Sequence, residues 1–151
     1  MDLSKAIFVD VETCLIKTKS GRKQRLGITD WVFNDYIIDF TLRNKFTNFY
    51  IVADKPFVFI IDKAKYVKFL NLVQEQLYKI FKSKDIQVNI VFYNSASDEY
   101  FHYPNPGGIF NYCIEDNINL YESYYISDND RAKGLSGIKN SKSLSEFLLN
   151  D

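Results

Sequence analysis

Two acidic residues and a threonine follow the first apolar segment, and phosphoryl and metal chemistry uses these side-chain types. Asp10 lies within an apolar run over residues 6–11, Glu12 follows two positions later, and Thr13 is next to it. So short a run predicts a strand buried on both faces, as in a parallel sheet. In open α/β sheets, ligands bind at the carboxyl ends of the strands. Two carboxylates there can act as metal ligands, nucleophile or proton donor.

A basic segment follows the acidic pair. Its five cations, with no acid among them, are Lys17, Lys19, Arg22, Lys23 and Arg25. Ser20 and Gly21 predict a loop or turn at this point. If Asp10 marks a catalytic centre, this loop lies over it and can hold the backbone phosphates of a nucleic acid. The alternative is a solvated loop without a ligand, because short basic runs are frequent on protein surfaces.

Composition limits the classes of protein to consider. The 151 residues predict one domain, and the 13 Phe and 11 Tyr favour a folded globule over a disordered chain. The formal net charge is zero, so any attraction to nucleic acid is local. No long apolar run or signal peptide is present, which predicts a soluble protein of the cytoplasm or nucleus without a membrane partner. The bias toward Lys, Asn, Ile and Tyr indicates an AT-rich genome, such as a viral one.

The cysteines and histidine do not form a metal motif. Cys14 and Cys113 have neither metal spacing nor a disulfide framework, so we expect two reduced, buried thiols. Together with His102, the single histidine, they cannot supply a convincing set of four zinc ligands. The chain also lacks the glycine-rich loop of phosphate-binding kinases.

Strands and helices are predicted to alternate along the chain. Apolar residues at three- and four-residue spacing predict helices over residues 36–46, 63–84, 109–117 and 141–149. Apolar runs predict strands over residues 49–53, 86–93 and 120–126, with a further strand or buried linker over 57–61. Asp62 is the expected N-cap of the longest helix. This order predicts an α/β fold, a Rossmann-like three-layer parallel sheet with helices on both faces and no room for a large cap.

A second acidic group follows the last predicted strand. Asp128 and Asp130 come directly after Ile126 and Ser127, again at the carboxyl end of a strand. In open α/β sheets this is the edge at which ligands bind. The alternative is a helix N-terminus with its usual capping acids.

Several of these motifs resemble those of the haloacid-dehalogenase-like phosphohydrolases. The acidic pair resembles the first motif of that family, with Glu12 in place of its second Asp. The stretch over residues 15–21 and the pair Asp30-Trp31 resemble the 3′-phosphatase domain of polynucleotide kinase/phosphatase. Pro104, Pro106 and Gly107 resemble its third motif. On the residues themselves, Thr29 or Asp30 is expected to cap a turn or helix, and Trp31 to pack.

Three departures from the family pattern are Glu12, Ala53 and Tyr103. Ala53, Asp54 and Lys55 stand where the family has a hydroxyl and amides that bind the transferring phosphoryl group. Tyr103 stands in place of the family's phosphate-binding Lys, and His102 in place of its Arg. Lys55 is the best candidate for a replacement cation.

The resemblance implies one phosphatase-like domain over residues 1–151 and a magnesium-dependent reaction on nucleic acid 3′-phosphates. Asp10 would form an aspartyl-phosphate, and Glu12 would act as acid and base. The implied ligands of Mg²⁺ are Asp10, Asp128 and Asp130. Thr13 and Lys55 would bind the phosphate, and the five cations of the basic segment would bind DNA or RNA ends. The three departures favour an alternative, an inactive scaffold that binds nucleic acid or a protein partner.

Overall fold

The computed structural model describes residues 4–54, 61–91 and 107–150. Three of the sequence predictions lie outside these residues. They are the strand or linker over residues 57–60, the phosphate-binding role of Lys55, and the proline-rich loop with His102 and Tyr103.

Twelve strands and helices are described, together with two short turns of other helix types. The strands are β1 (Ala6–Asp10), β2 (Ile16–Lys17), β3 (Val32–Phe33), β4 (Asn48–Val52), β5 (Gln87–Val91), β6 (Tyr124–Ile126) and β7 (Asn140–Lys142). The helices are α1 (Asp35–Arg43), α2 (Lys63–Phe81), α3 (Gly107–Glu115), α4 (Asp130–Leu135) and α5 (Leu144–Asn150). A π-helical turn over Val11–Leu15 follows β1, and a 3₁₀ turn over Lys82–Lys84 follows α2.

Five of the strands form one parallel sheet in the order β5-β4-β1-β6-β7. The first strand is central, because β4 pairs with one side of β1 and β6 with the other. Asp10 pairs with Val52, and Val9 pairs with Ile126. The residues that follow β1, β4 and β6 therefore meet along one side of the sheet, which we call the carboxyl edge. The strands β2 and β3 form a separate antiparallel hairpin.

Helices cover both faces of the sheet, as predicted. Alternate residues of β1 enter two different cores, Ile7 and Val9 on one face and Ala6 and Phe8 on the other. The first core includes buried residues of α1, α2 and α5, whereas the second includes residues of α3 and α4. Apart from Asp10 and Asn48, β1 and β4 consist of apolar and aromatic residues, because both faces of these strands are buried. The result is the expected α/β, Rossmann-like, three-layer arrangement, and no large cap is evident in the described parts.

The longest helix begins where its cap was predicted. The Asp62 side chain accepts a hydrogen bond from the Lys65 backbone N–H at 3.0 Å. Buried residues then recur at helical spacing along α2, at Tyr66, Phe69, Leu70, Val73, Leu77 and Phe81. The buried, free cysteines Cys14 and Cys113 also agree with the prediction. No helix in the described ranges is long and apolar enough to cross a membrane.

The C-terminal third differs from the predictions in three ways. Strand β6 begins at Tyr124 rather than residue 120, because residues 120–122 form a turn in which Asn119 accepts the Tyr121 N–H. Strand β7 was not predicted, since three polar residues carry no apolar signal. The last helix begins at Leu144, after a capping box in which Ser143 and Glu146 each accept the other's backbone N–H.

Candidate functional site

Asp10 ends β1 at the carboxyl edge, and its carboxylate is fully buried, with 0% of the residue exposed. The Tyr125 hydroxyl donates to its Oδ1 at 2.8 Å, and the Ser127 hydroxyl donates to its Oδ2 at 2.5 Å. Both donors belong to β6 or to the residue that follows it. Asp10 therefore joins the ends of two neighbouring strands through a buried acceptor, which satisfies the need of a buried charge for hydrogen-bond donors.

A second carboxylate holds the π-helical turn that follows β1. Asp54, two residues after β4, accepts the Glu12 backbone N–H through Oδ1 at 3.1 Å. Its Oδ2 accepts the backbone N–H and the hydroxyl of Thr13, at 3.0 Å and 2.9 Å. Backbone N–H groups at the start of a helical turn form a site for an anion. In this chain Asp54 is itself the anion in that site.

The surroundings of Asp54 affect its pKa in two opposite ways. Burial is the larger effect and raises its pKa from 3.8 to about 6. The hydrogen bonds from Glu12 and Thr13 act in the opposite sense and lower the pKa. At neutral pH the carboxylate is mostly ionised, which is the form that accepts all three hydrogen bonds.

Glu12 is bound in an ion pair with a residue of the basic loop. The Arg25 guanidinium donates from Nε at 3.0 Å and from Nη2 at 2.5 Å to the same Glu12 oxygen. Its Nη1 donates to the Gly27 carbonyl at 2.9 Å, and its Cζ lies 3.5 Å from the centroid of the Phe69 ring. Arg25 therefore fastens the basic loop to both the acidic turn and helix α2.

The two acids after β6 have separate partners. Asp128 accepts the backbone N–H of Leu144 at 2.9 Å, at the start of α5. Asp130 is exposed and pairs with Lys133 at 3.2 Å. The adjacent Asn129, rather than either acid, caps α4 by accepting two backbone N–H groups.

Three acids nevertheless share the carboxyl edge. Burial is the main cause that raises the pKa of the Cys14 thiol, and the negative charges of Asp10, Asp128 and Asp54 add to it. Among the described residues, however, no three histidine, cysteine or acidic side chains are grouped to hold a metal ion. Asp10 and Asp128 already accept hydrogen bonds from protein donors. The predicted ligands are thus not grouped around one point in the described residues, their binding of Mg²⁺ stays a prediction, and no catalytic step is derived through that ion.

Lys17 ends β2 and the other four basic residues lie on the loop of the β2–β3 hairpin, which was predicted only as a loop. Asp30 organises this loop by accepting the backbone N–H of Ser20 at 2.8 Å and of Leu26 at 2.9 Å. These bonds, with one from the Ser20 hydroxyl at 2.7 Å, lower the pKa of Asp30. Gly21 adopts a φ of +78°, which favours glycine. Asp30 was expected to cap a turn or helix, and it instead holds a long loop closed.

Four of the five cations in the loop point into solvent. Lys17, Lys19, Arg22 and Lys23 are exposed, and Arg25 is the one that is partly buried. None of these four forms a salt bridge within the described residues.

A cavity of about 250 Å³ lies beneath the loop, and we call it the basic pocket. Three cations and one carboxylate contribute to its wall, which leaves a formal charge of +2. Its lining residues are Glu12, Ile16, Lys17, Thr18, Lys23, Gln24 and Arg25.

Trp31 packs between the hairpin and the core, as predicted. Its ring meets Phe33 edge to face at 5.0 Å and Phe69 at 6.4 Å, measured between ring centroids. Its indole N–H donates to the Ile28 carbonyl at 2.7 Å. Trp31 therefore reports on how the hairpin sits against α2.

Sequence reasoning missed the partners that bind these acids. Tyr125 and Ser127 gave no signal as partners of Asp10, since a strand tyrosine and a serine are ordinary residues. Asp54 was recognised as an added negative charge in the phosphoryl position. Asp54 accepts hydrogen bonds from the backbone of Glu12 and Thr13 only because of the sheet register, which the sequence does not reveal.

The sequence matches no family model, and no curated protein is significantly similar to it. The likeness to haloacid-dehalogenase-like phosphohydrolases therefore rests on the motifs themselves and stays a prediction.

The raised pKa of Asp54 predicts how stability depends on pH. Because the folded-state pKa of about 6 exceeds the ordinary value of 3.8, the folded protein binds more protons than the unfolded chain between these values. The contribution of Asp54 to the free energy of unfolding therefore falls as pH rises through this range. Asp54→Asn lacks this contribution, so its stability relative to wild type should increase from pH 4 to pH 7. Urea unfolding of both proteins across this range measures the difference, and a constant difference would contradict the assignment.

Proposed function

We propose that this chain binds nucleic acid through its basic hairpin loop, on a fold that resembles haloacid-dehalogenase-like phosphohydrolases, and that it does not transfer phosphoryl groups. The observation that carries the proposal is the position of Asp54. Its carboxylate takes the donors of the turn beside Asp10, where the resembled family binds the transferring phosphoryl group.

The charge of Asp54 disfavours a phosphate at this point. A phosphate would have to displace the carboxylate from the Glu12 and Thr13 donors while remaining close to it. Two unit charges about 4 Å apart repel by about 4 kcal/mol at an effective dielectric constant near 20. Asp54 would therefore have to be protonated or move away before a phosphate could bind.

The two residues predicted to be catalytic are also poorly placed for the reaction. A nucleophile must approach the reacting atom to about 3–3.5 Å, and Asp10 is 0% exposed with both oxygens bonded to hydroxyls. A general acid must reach the leaving oxygen, whereas the Glu12 oxygen Oε1 accepts two bonds from Arg25. Both residues support the carboxyl edge and the hairpin in this arrangement.

The basic loop supplies the attraction to nucleic acid. Lys17, Lys19, Arg22 and Lys23 project from one loop, while the chain as a whole has no net charge. Because these four cations form no salt bridge with the residues that the structure describes, they are suited to phosphate oxygens, which supply most of the affinity in sequence-independent binding. A ligand of this kind is consistent with an intracellular location in the cytoplasm or nucleus.

Binding to single-stranded DNA should depend on salt and on the exposed cations. We expect fluorescence anisotropy to give a dissociation constant near 10⁻⁴–10⁻⁶ M at physiological salt. The double variant Lys19→Gln with Arg22→Gln should reduce the slope of log K against log salt by about 1.4, from about 0.7 per lost contact. These two residues are exposed and lie outside the basic pocket, so the fold should be unaffected.

A matched control removes the same charge elsewhere. Lys82 and Lys84 are exposed in the 3₁₀ turn just before β5, at the amino edge of the sheet. Lys82→Gln with Lys84→Gln should keep the wild-type slope. Equal loss in both double variants would indicate nonspecific attraction, and no binding by wild type would favour a protein partner instead.

A phosphohydrolase remains the second candidate because Asp10, Asp54 and Asp128 share one edge. Phosphohydrolase activity would require the turn beside Asp10 to release Asp54. It would also require the carboxyl edge to bind Mg²⁺.

A further inference from the structure

We infer that the basic pocket is a binding site for a phosphate monoester, and that on nucleic acid it selects the terminal phosphate of a strand. The inference rests on the proposed nucleic acid binding, and it concerns the pocket beneath the loop rather than the edge around Asp10. It adds a preference for strand ends to an otherwise sequence-independent surface.

The charge of the pocket matches a terminal phosphate. Lys17, Lys23 and Arg25 contribute three positive charges and Glu12 one negative charge, which leaves a formal charge of +2. A phosphate monoester has about −1.5 to −2 charges at neutral pH, because its second pKa is near 6. A phosphate inside a strand is a diester with a single negative charge. The end of a strand therefore neutralises this pocket better than its interior.

The size of the pocket also favours a phosphate group. Its volume is about 250 Å³, below the roughly 300–1,000 Å³ of sites that enclose drug-sized ligands. A phosphate with part of its sugar fits such a volume, whereas a whole nucleotide would have to project into solvent. That geometry suits the end of a strand whose remaining phosphates follow Lys19 and Arg22 outside the pocket.

Arg25 is oriented in the pocket before any ligand arrives. Its guanidinium is held by Glu12, by the Gly27 carbonyl and by the face of the Phe69 ring. Three of its five N–H groups make these bonds, from Nε, Nη1 and Nη2, so two others remain. A guanidinium fixed in this way loses little side-chain entropy when it binds phosphate.

The two lysines complete the site from the opposite ends of the loop segment. Lys17 ends β2 and Lys23 lies across the turn that contains Gly21. The Thr18 hydroxyl donates to the Arg22 carbonyl at 2.5 Å, which ties this turn together. All the cations of the pocket therefore come from one short closed segment, with Glu12 of the preceding turn beside them.

The test compares three short DNA strands that differ only at their ends. One has a 3′-phosphate, one a 5′-phosphate and one hydroxyls at both ends, each with the same internal fluorophore. We expect wild type to bind at least one phosphorylated strand about tenfold more tightly than the hydroxyl strand, the effect of one charged hydrogen bond. The phosphorylated strand that binds more tightly identifies whether the pocket binds a 3′-phosphate or a 5′-phosphate.

Two double variants assign this preference to the pocket. Lys17→Gln with Lys23→Gln should bind all three strands equally, whereas Lys19→Gln with Arg22→Gln should weaken all three and keep the preference. Lys82→Gln with Lys84→Gln is the control for lost charge. Equal binding of the three strands by wild type, or a preference that persists without Lys17 and Lys23, would overturn the inference.

Failure of the proposed function gives a different result. If wild type binds none of the strands, inorganic phosphate is titrated into ¹⁵N-labelled protein and the Arg25 Nε–Hε resonance is followed. A shift that is lost in Lys17→Gln with Lys23→Gln would keep the pocket as a phosphate site with another ligand. If the Arg25 resonance of wild type does not shift, the basic pocket is not a phosphate site either.

Discussion

Wild type and Asp10→Asn are expected to release phosphate from a 3′-phosphorylated DNA strand at the same background rate, with Mg²⁺ or with chelator. Asp54 fills the donors beside Asp10, and Asp10 itself is buried and bonded to two hydroxyls. Enzymes accelerate such reactions by at least about 10⁶-fold, so an active site would separate the two proteins clearly. Phosphate release is measured by a colorimetric assay on folded protein.

The opposite result would be equally informative. Release by wild type that disappears in Asp10→Asn and with chelator would establish Asp10 as the nucleophile and replace the binding proposal by the phosphohydrolase. Asp54→Asn is a useful companion, because it removes the negative charge and supplies an amide, as the resembled family has after this strand. Activity only in Asp54→Asn would identify the charge of Asp54 as the block.

Asp10 should also matter for stability whatever the assay gives. Asp10→Ala removes the acceptor of the Tyr125 and Ser127 hydroxyls inside the protein. Hydrogen bonds to a charged group contribute about 1.5–3 kcal/mol each, so we expect the loss of both to lower the free energy of unfolding by about 3–6 kcal/mol. Urea denaturation checks this, and a loss below about 1 kcal/mol would contradict the buried position.

Phe69→Ala is expected to destabilise the protein by about 3–5 kcal/mol and to loosen the hairpin in the folded state. Phe69 is fully buried in α2, and its ring contacts both Arg25 and Trp31. Its removal leaves a cavity and takes away the surface on which Arg25 lies. Because Trp31 is the only tryptophan, its fluorescence should shift to longer wavelength in the native variant.

Phe81→Ala is the matched control for this result. Phe81 is also fully buried in α2, where it meets Phe49 at 5.4 Å between ring centroids. It should cost a similar free energy of unfolding and leave the native Trp31 emission unchanged. A shift in both variants, or in neither, would indicate that the hairpin does not depend on Phe69.

The sequence predicts those elements whose apolar pattern is strong. The strand over residues 6–11 and the helix after Asp62 are found with their expected burial, since each has many apolar residues at one period. The hairpin strands β2 and β3 have two residues each, and β7 has three polar ones, so no period can be read from them. Such strands exist only because a neighbouring chain segment pairs with them.

The candidate site was likewise predictable only in part from the sequence. The sequence predicts that acids gather at the ends of β1 and β6, because parallel strands end at one edge. It does not reveal that Asp54 points back to the turn of Glu12 and Thr13, or that Arg25 turns toward Glu12. Those contacts are set by sheet register and by the path of a long loop, which depend on residues far apart in the chain.

The central position of β1 has a consequence for how the protein is made. This strand leaves the ribosome before the other described strands, yet it pairs with β6 through Ile7 and Tyr124, which are far apart in the chain. Contacts between such distant residues form slowly, and an unpaired apolar strand is open to wrong partners until they do. Synthesis must therefore pass β6 before this side of β1 is paired, and a ribosome stalled before β6 would leave β1 exposed along that side. Translation speed and chaperone supply, rather than the stability of the finished fold, would then govern how much protein reaches its native state.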